Sequence, residues 1–428
     1  MAWQSPIAPG VSWYQHTVAE RPTYPAMDGS RTADVAIIGG GFTGLQAAYT
    51  LARAGISVTL IEAHRFGDGA SGRNGGQFGT GQRAWPDELE EKIGFERSKA
   101  LFDLAENAKH YVLDFARDNQ IDMEFLPGQL NVSHKRAYEK SYRDSVDAMT
   151  GRYGYEQIAF MEKAETADRL GSSHYHCGVR DTGTGHIHPL KLLVGLARAA
   201  KAAGADIFEM TPATAIRQSG GKTLIETRTG TITATRVLIA TNAYIGNLEP
   251  VTAAHVMPIR SFIGATAPLD EFPSIIPDKE AVADSRFVVR YFRKTPDNRL
   301  LFGGREAYTA DSPRDISKHI RKQIAEIYPA LGNVEMTHAW GGSVGITMTR
   351  QPFVREVMPG VLSIGGYSGH GVMLSNYCGK LYADMVINKD KALDQFAALD
   401  VPSFPGGASL RAPLLFLALT WYALRDRF

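Results

Sequence analysis

The segment from Asp34 to Glu62 constrains the fold of this 428-residue chain more than any other. Asp34-Val-Ala-Ile-Ile-Gly39 is a short apolar run suited to a strand buried on both faces. Gly39, Gly41 and Gly44 then give the spacing G-x-G-x-x-G. Leu45, Ala48, Leu51 and Ala52 fall on one helical face, and Gly55 ends that helix. Val58-Thr-Leu-Ile-Glu62 is the next strand, ending in an acid 18 residues after Gly44. These parts make a βαβ dinucleotide-binding unit. The first glycine allows a tight turn, the second lets backbone reach a pyrophosphate, and the third lets helix pack on strand. The helix start, with Phe42 and Thr43, offers N–H groups and partial positive charge to phosphates. Glu62, followed by Ala63, is placed to accept hydrogen bonds from ribose hydroxyls.

Glycine is the one residue type in clear excess, 43 in all against about 30 at ordinary frequency. Fifteen of them fall in three clusters, GGGFTG (39–44), GDGASGRNGGQFGTG (67–81) and GGYSGHG (365–371). Backbone that must approach a ligand closely needs such residues, so three distant clusters suggest one long ligand touched by several loops. The chain is long enough for two domains with proper cores. Lys and Arg total 46 against 45 Asp and Glu, which argues against a nucleic-acid surface. Two cysteines, Cys177 and Cys378, cannot form a disulfide framework and favour a reducing compartment. The N-terminal residues lack the basic and apolar regions of a signal peptide. These features predict a cytoplasmic location.

The fingerprint alone does not choose between NAD and FAD. Three later segments favour FAD. Ser71, Gly72, Arg73, Asn74, Gly76 and Gln77 lie on a loop shortly after the acid-ending strand, able to follow a cofactor toward its ring. Lys222 to Asn242 reads as a β-meander returning to the nucleotide domain, with Ala215, Thr241 and Asn242 as further contacts. Val361-Leu-Ser-Ile-Gly365 is another buried strand, followed by a glycine loop opening a helix. There Gly366, Gly369, His370, Gly371 and Val372 can set backbone N–H groups against negative charge on a flavin.

The runs 34–77, 340–354 and 365–372 and the tail 419–428 resemble the FAD-dependent amine and amino-acid oxidoreductases of the D-amino-acid oxidase superfamily. ASGRNGG and the tail LTWYALRDRF resemble the narrower group of gamma-glutamylputrescine oxidases and their relatives, a pipecolate oxidase among them. The resemblance implies an α/β fold. It pairs a Rossmann-type FAD-binding domain, assembled from 1–90, 160–250 and 345–428, with a second α+β substrate domain, 91–159 and 251–344, carrying a mixed or antiparallel sheet. It also implies oxidative deamination, with hydride passing from the amine α-carbon to the flavin and the imine then hydrolysed. The substrate would be gamma-glutamylputrescine or a similar carboxylate-bearing amine. The alternative is a secondary or D-amino acid such as pipecolate or sarcosine. The electron acceptor would be oxygen, giving hydrogen peroxide, or a quinone. Some relatives attach flavin to a cysteine before the SGHG loop or to a histidine near the second glycine cluster. GITMTRQPFV has no cysteine and ASGRNGGQ no histidine, so non-covalent FAD is expected. Relatives with a lysine just after that loop also differ, since Val372-Met373 stands here.

Such chemistry needs placement more than a catalytic triad. Trp340, Arg305 and His370 are the candidates beside the reacting atoms, and His370 offers its backbone before its ring. Tyr291, Arg293 and His255 are the candidates for substrate; an arginine could hold a carboxylate bidentately. Each aromatic or arginine could equally belong to a sheet or its solvated face. His174, His176, Cys177, His186 and His188 invite a zinc reading, but their spacing fits no zinc signature and no metal is expected. Ala412–Leu424 is apolar and flanked by Arg411, Arg425 and Arg427. As a helix it would be about 20 Å long, short of a bilayer core of about 30 Å. It could dock on its own protein, bury in a partner, or make peripheral contact with the inner membrane face. Nothing in the sequence sets an oligomeric state.

Overall fold

The computed structural model describes residues 5, 7–307 and 315–407, without the side chains of 305–307. The segment Ala412–Leu424 lies outside the described residues. Two sheets organise the chain. The first has the order Phe353–Met358, Val361–Gly365, Thr231–Ile239, Arg31–Ile38, Val58–Ile61 and Asp206–Phe208. Its centre is parallel, with Ile38 level with both Ile61 and Ile239. Val35, Ala36 and Ile37 are fully buried, as expected for strands covered on both faces. The antiparallel pair Ala215–Ser219 and Lys222–Glu226 extends from Thr231–Ile239.

The helix Phe42–Arg53 starts where the first strand stops. Gly39 has φ +112°, and a Cβ on Gly44 would sit 1.9 Å from the Gly39 carbonyl oxygen. Only glycine lets this helix rest on its strand. Across the same helix runs Val372–Asn388, and a Cβ on its Gly379 would lie 2.3 Å from the Thr43 carbonyl oxygen. The two helices therefore touch backbone to backbone. The predicted helix over 86–120 is two helices, Pro86–Ile93 and Phe95–Asp118, separated by Gly94 at φ +82°.

The second sheet runs Met336–Ile346, Met257–Pro268, Arg299–Ala307, Tyr291–Lys294, Ala281–Asp284, Leu126–Ser133, Cys177–His186 and Gln77–Phe78. All its pairs on this path are antiparallel except Ala281–Asp284 with Leu126–Ser133. A two-sheet α/β architecture of this kind matches the predicted class. Two of its strands bear on the sequence-drawn division. Gln77–Phe78 and Cys177–His186 fall in stretches assigned to the nucleotide domain, yet they belong to this sheet. Cys177–His186 pairs along most of its length with Leu126–Ser133, which fixes its place. Among the described residues no helix is long and apolar enough to cross a membrane.

Candidate active site

The carboxyl ends of the parallel strands deliver Gly39, Ala240 and Gly365 to one edge of the first sheet. Ligands in open α/β sheets bind outside that edge. A cavity of about 340 Å³ opens there, between the start of the Phe42–Arg53 helix, the loop 70–86, the loop 367–372 and one face of the second sheet.

Of the residues expected at a cofactor, Gly41, Phe42, Thr43, Ser71, Arg73, Asn74, Gly76, Gln77, Asn242, Gly369, His370, Gly371 and Val372 line this cavity. The Phe42 N–H donates to Ser71 Oγ at 3.1 Å, tying the second glycine cluster to the first. Thr43 Oγ1 and the Tyr367 hydroxyl are 2.8 Å apart, tying the first to the third. Asn242 Oδ1 accepts from the Gly366 N–H at 2.8 Å. Gly39, Gly44, Gly72 and Gly366 stand behind the lining and shape the turns. Glu62 accepts from the Gly40 N–H at 2.8 Å and the His64 N–H at 2.9 Å, and burial raises its pKa against those bonds. Ala63 follows it, away from the cavity lining.

Polar atoms left without partners also mark the site. Among the described residues, Arg73 Nη1, Gln82 Oε1 and Gln129 Oε1 on the cavity wall are buried without a hydrogen-bond partner, as is Thr241 Oγ1 beside it. Buried polar groups are normally satisfied, so such a cluster is what a polar ligand would complete. Two helix N-termini converge here, at Gly41 and at Gly371, and helix starts carry free N–H groups and positive charge. This donor set fits the pyrophosphate and ring edge of FAD.

Several expected residues sit elsewhere. Trp340 is fully buried; its Nε1–H donates to the Arg73 carbonyl at 3.0 Å and its ring packs on Tyr14. It holds the wall from behind. Arg293, only 3% exposed, gives its guanidinium to Gly75 O, Ile187 O, the Tyr14 hydroxyl and His186 Nδ1. That set removes it from the substrate candidates. His255 accepts from Arg355 Nη1, donates to Val251 O and stacks on Phe353, away from the cavity. Ala215 pairs with Glu226 in the peripheral hairpin and is not among the residues that line the cavity. The Arg305 side chain lies outside the described residues, although its backbone pairs with Phe262.

Tyr291 does line the cavity, with its hydroxyl 3.2 Å from Ser261 Oγ. His370 lines it too. Its Nε2–H donates to the Gly81 carbonyl at 3.1 Å, and burial pushes its pKa down to about 4, so the ring is neutral at pH 7. Two histidines of the zinc-like run have partners within the protein. His186 bonds Arg293 and Lys279 O, and His188 caps the helix Pro189–Ala202 through the Lys191 N–H. Among the described residues no three His, Cys, Asp or Glu side chains form a cluster able to hold a metal.

Other lining residues escaped the sequence reading. Gln129 and Asn131 alternate on Leu126–Ser133, the face pattern of a strand, and were legible in principle. Asp181 faces them across the pair Gln129 and Asp181. Its Oδ1 accepts from the Tyr155 hydroxyl at 2.5 Å and the Gly183 N–H at 3.0 Å. Lys109 donates to the same hydroxyl and pairs with Glu106. Burial raises the Asp181 pKa to about 6 despite these partners. Phe287, Trp85 and Arg350 also line the cavity.

A dinucleotide fold whose cavity is roofed by a second, largely antiparallel sheet defines a flavin-dependent oxidoreductase of the two-domain type. The chain belongs to the FAD dependent oxidoreductase family, DAO, whose model matches residues 34–385. It is similar over the full length of both chains, at 69% identity, to a Rhizobium meliloti (strain 1021) protein named "Probable oxidoreductase OrdL". It is 32% identical to the gamma-glutamylputrescine oxidoreductase of Escherichia coli (strain K12), covering 97% of this chain and 98% of that one. Among solved structures, glycine oxidase from Geobacillus kaustophilus superposes with a TM-score of 0.71 at 23% identity, covering 84% of this chain and 96% of that one. The protein is thus an FAD-dependent oxidoreductase of a family acting on amines or amino acids.

Proposed function

We propose that this protein oxidatively deaminates a carboxylate-bearing amine, gamma-glutamylputrescine foremost. The observation that carries the reading is the 32% identity, over nearly all of both chains, to a gamma-glutamylputrescine oxidoreductase. The cavity suits it. Bound FAD would supply the hydride acceptor for the amine α-carbon. The chain's own residues hold the cofactor and exclude water. The start of Val372–Asn388, capped by Gly371, presents backbone N–H groups toward the cavity and favours negative charge there. Tyr291, Phe287 and Trp85 give the aromatic wall that suits an amine. Water then hydrolyses the released imine.

Oxidation of a secondary or D-amino acid, pipecolate or sarcosine among them, is the second reading, since those substrates also join an amine to a carboxylate. The decisive experiment is anaerobic flavin reduction across a panel of polyamine derivatives and amino acids. Gamma-glutamylputrescine is expected to bleach the flavin at the lowest concentration. Preferential bleaching by an amino acid would favour the second reading, and no bleaching by any amine would end both. Oxygen and a quinone are separated as acceptors by measuring peroxide during turnover, with and without residues 412–424. A cytoplasmic enzyme using oxygen makes peroxide either way; one using a quinone at the membrane makes little and depends on that segment.

A further inference from the structure

We propose that Arg350 binds the substrate carboxylate, the role that its internal bonds deny to Arg293. The proposal rests on the amine-oxidising reading above. Arg350 lines the cavity and is half-buried. Its guanidinium lies over the ring of Phe287, itself a lining residue, at 5.1 Å from the centroid. No carboxylate among the described residues forms an ion pair with it. Arg73 and Arg293 give most of their donors to protein groups, and Arg83, which also lines the cavity, is engaged within the protein. Arg73 bonds Pro9 O, Gly10 O and Gly341 O, and Arg293 bonds Gly75 O and Ile187 O.

The backbone under Arg350 is held firmly. Arg350 has φ +63°, in the left-handed region, at the end of a turn whose Thr347 carbonyl accepts its N–H at 3.3 Å. The Thr347 hydroxyl donates to Gln351 O at 2.8 Å, and the Thr347 N–H donates to Ser368 Oγ at 3.2 Å. Ser368 belongs to the third glycine cluster. The turn that carries the arginine is therefore tied to the 365–371 loop, and the two are fixed relative to each other. The ring face holds the guanidinium by a cation–π contact, and a guanidinium presents an edge of N–H groups to a partner. A carboxylate meets that edge with two parallel hydrogen bonds. Proximity to the 365–371 loop sets the carboxylate end of a substrate at one wall and lets the amine reach across the cavity.

The test compares holoenzyme of wild type, R350M and R350K, each checked for flavin content. Two amines are used, gamma-glutamylputrescine and N-butyrylputrescine, which shares the oxidisable amine and amide but lacks the charged head. Glutarate, a carboxylate with no amine to oxidise, is titrated separately and followed by flavin absorbance and calorimetry. In R350M the preference for gamma-glutamylputrescine, read as the ratio of apparent Kd values for flavin reduction, should fall by about 10- to 100-fold, the worth of hydrogen bonds to a charged group. Glutarate affinity should fall by a similar factor, and R350K should recover part of both. An unchanged ratio with unchanged glutarate binding overturns the proposal, as does a wild type that binds no glutarate. If no amine reduces the wild-type flavin, the amine reading fails, while the glutarate titration still decides the role of Arg350.

Discussion

The guanidinium of Arg293 donates to Nδ1 of His186 at 3.0 Å, and His186 in turn donates through Nε2 to the Lys279 carbonyl. This fixes the neutral ring, whose pKa lies well below the ordinary value because of burial and the adjacent cation. The pair joins strands Tyr291–Lys294 and Cys177–His186, which are not neighbours in the sheet, and clamps Gly75 of the second glycine cluster as well.

Arg293→Met should therefore damage stability before specificity. It leaves Gly75 O, Ile187 O, the Tyr14 hydroxyl and His186 without their donor. A loss of about 3 kcal/mol is expected for several unsatisfied buried groups. Urea unfolding measures it. If the variant keeps wild-type stability but loses affinity for carboxylates, Arg293 would be the substrate arginine after all.

Gly379→Ala is expected to cost about 1–3 kcal/mol, the usual range for overpacking. Its new methyl would lie 2.3 Å from the Thr43 carbonyl oxygen and force the two helices apart. Both helices start at the cavity, so the same variant should also weaken FAD binding. Thermal melting of apoprotein and FAD titration by fluorescence report the two effects. Normal FAD affinity in a destabilised variant would separate the helix contact from cofactor binding.

The nucleotide half was legible because its information is local. Strand, glycine turn, helix and acid-ending strand are contiguous, and each glycine answers to a contact such as the approach of Gly44 to Gly39. The substrate half was not, because periodicity gives a face and leaves open what covers it. Tyr291 and Arg293 share one face of their strand. Only Tyr291 meets the cavity; Arg293 is covered by Tyr14 from the N-terminal segment and by the loop at Gly75. That cover comes from chain more than 200 residues away in sequence, as the spacing of Arg293 from Gly75 shows. Arg350 lies in a turn, where no period marks it. Trp340 looked catalytic beside two glycines, yet its ring packs on Tyr14 and its Nε1–H is spent on the Arg73 carbonyl.

FAD should leave with the supernatant when the holoenzyme is precipitated by acid. The described part of the cavity wall includes no cysteine, and its one histidine, His370, spends Nε2 on the Gly81 carbonyl. Cys378 is fully buried, with burial pushing its thiol pKa up to about 12. Such a thiol is a poor nucleophile. Yellow colour retained by the washed pellet would contradict non-covalent attachment.

Asp181 and His370 should pull the stability of the apoprotein in opposite directions over the same pH range. Burial raises Asp181 to about 6, from 3.8. The folded state then holds a proton that the unfolded state has lost, so this group's stabilisation is full below about pH 4 and declines as pH rises through 6. Its span is about 3 kcal/mol at 1.36 kcal/mol per unit. Burial lowers His370 to about 4, from 6.5. Here the unfolded state holds the extra proton, so stability rises from pH 4 to about 6.5, by about 3 kcal/mol. The two contributions largely cancel in wild type. In Asp181→Asn the rise due to His370 stands alone, so the difference in unfolding free energy between variant and wild type should climb in the variant's favour between pH 4 and 6. In His370→Gln the difference should move the other way. Urea titrations at half-unit pH steps measure both, and a pH-independent difference for D181N would show that the buried carboxyl keeps an ordinary pKa.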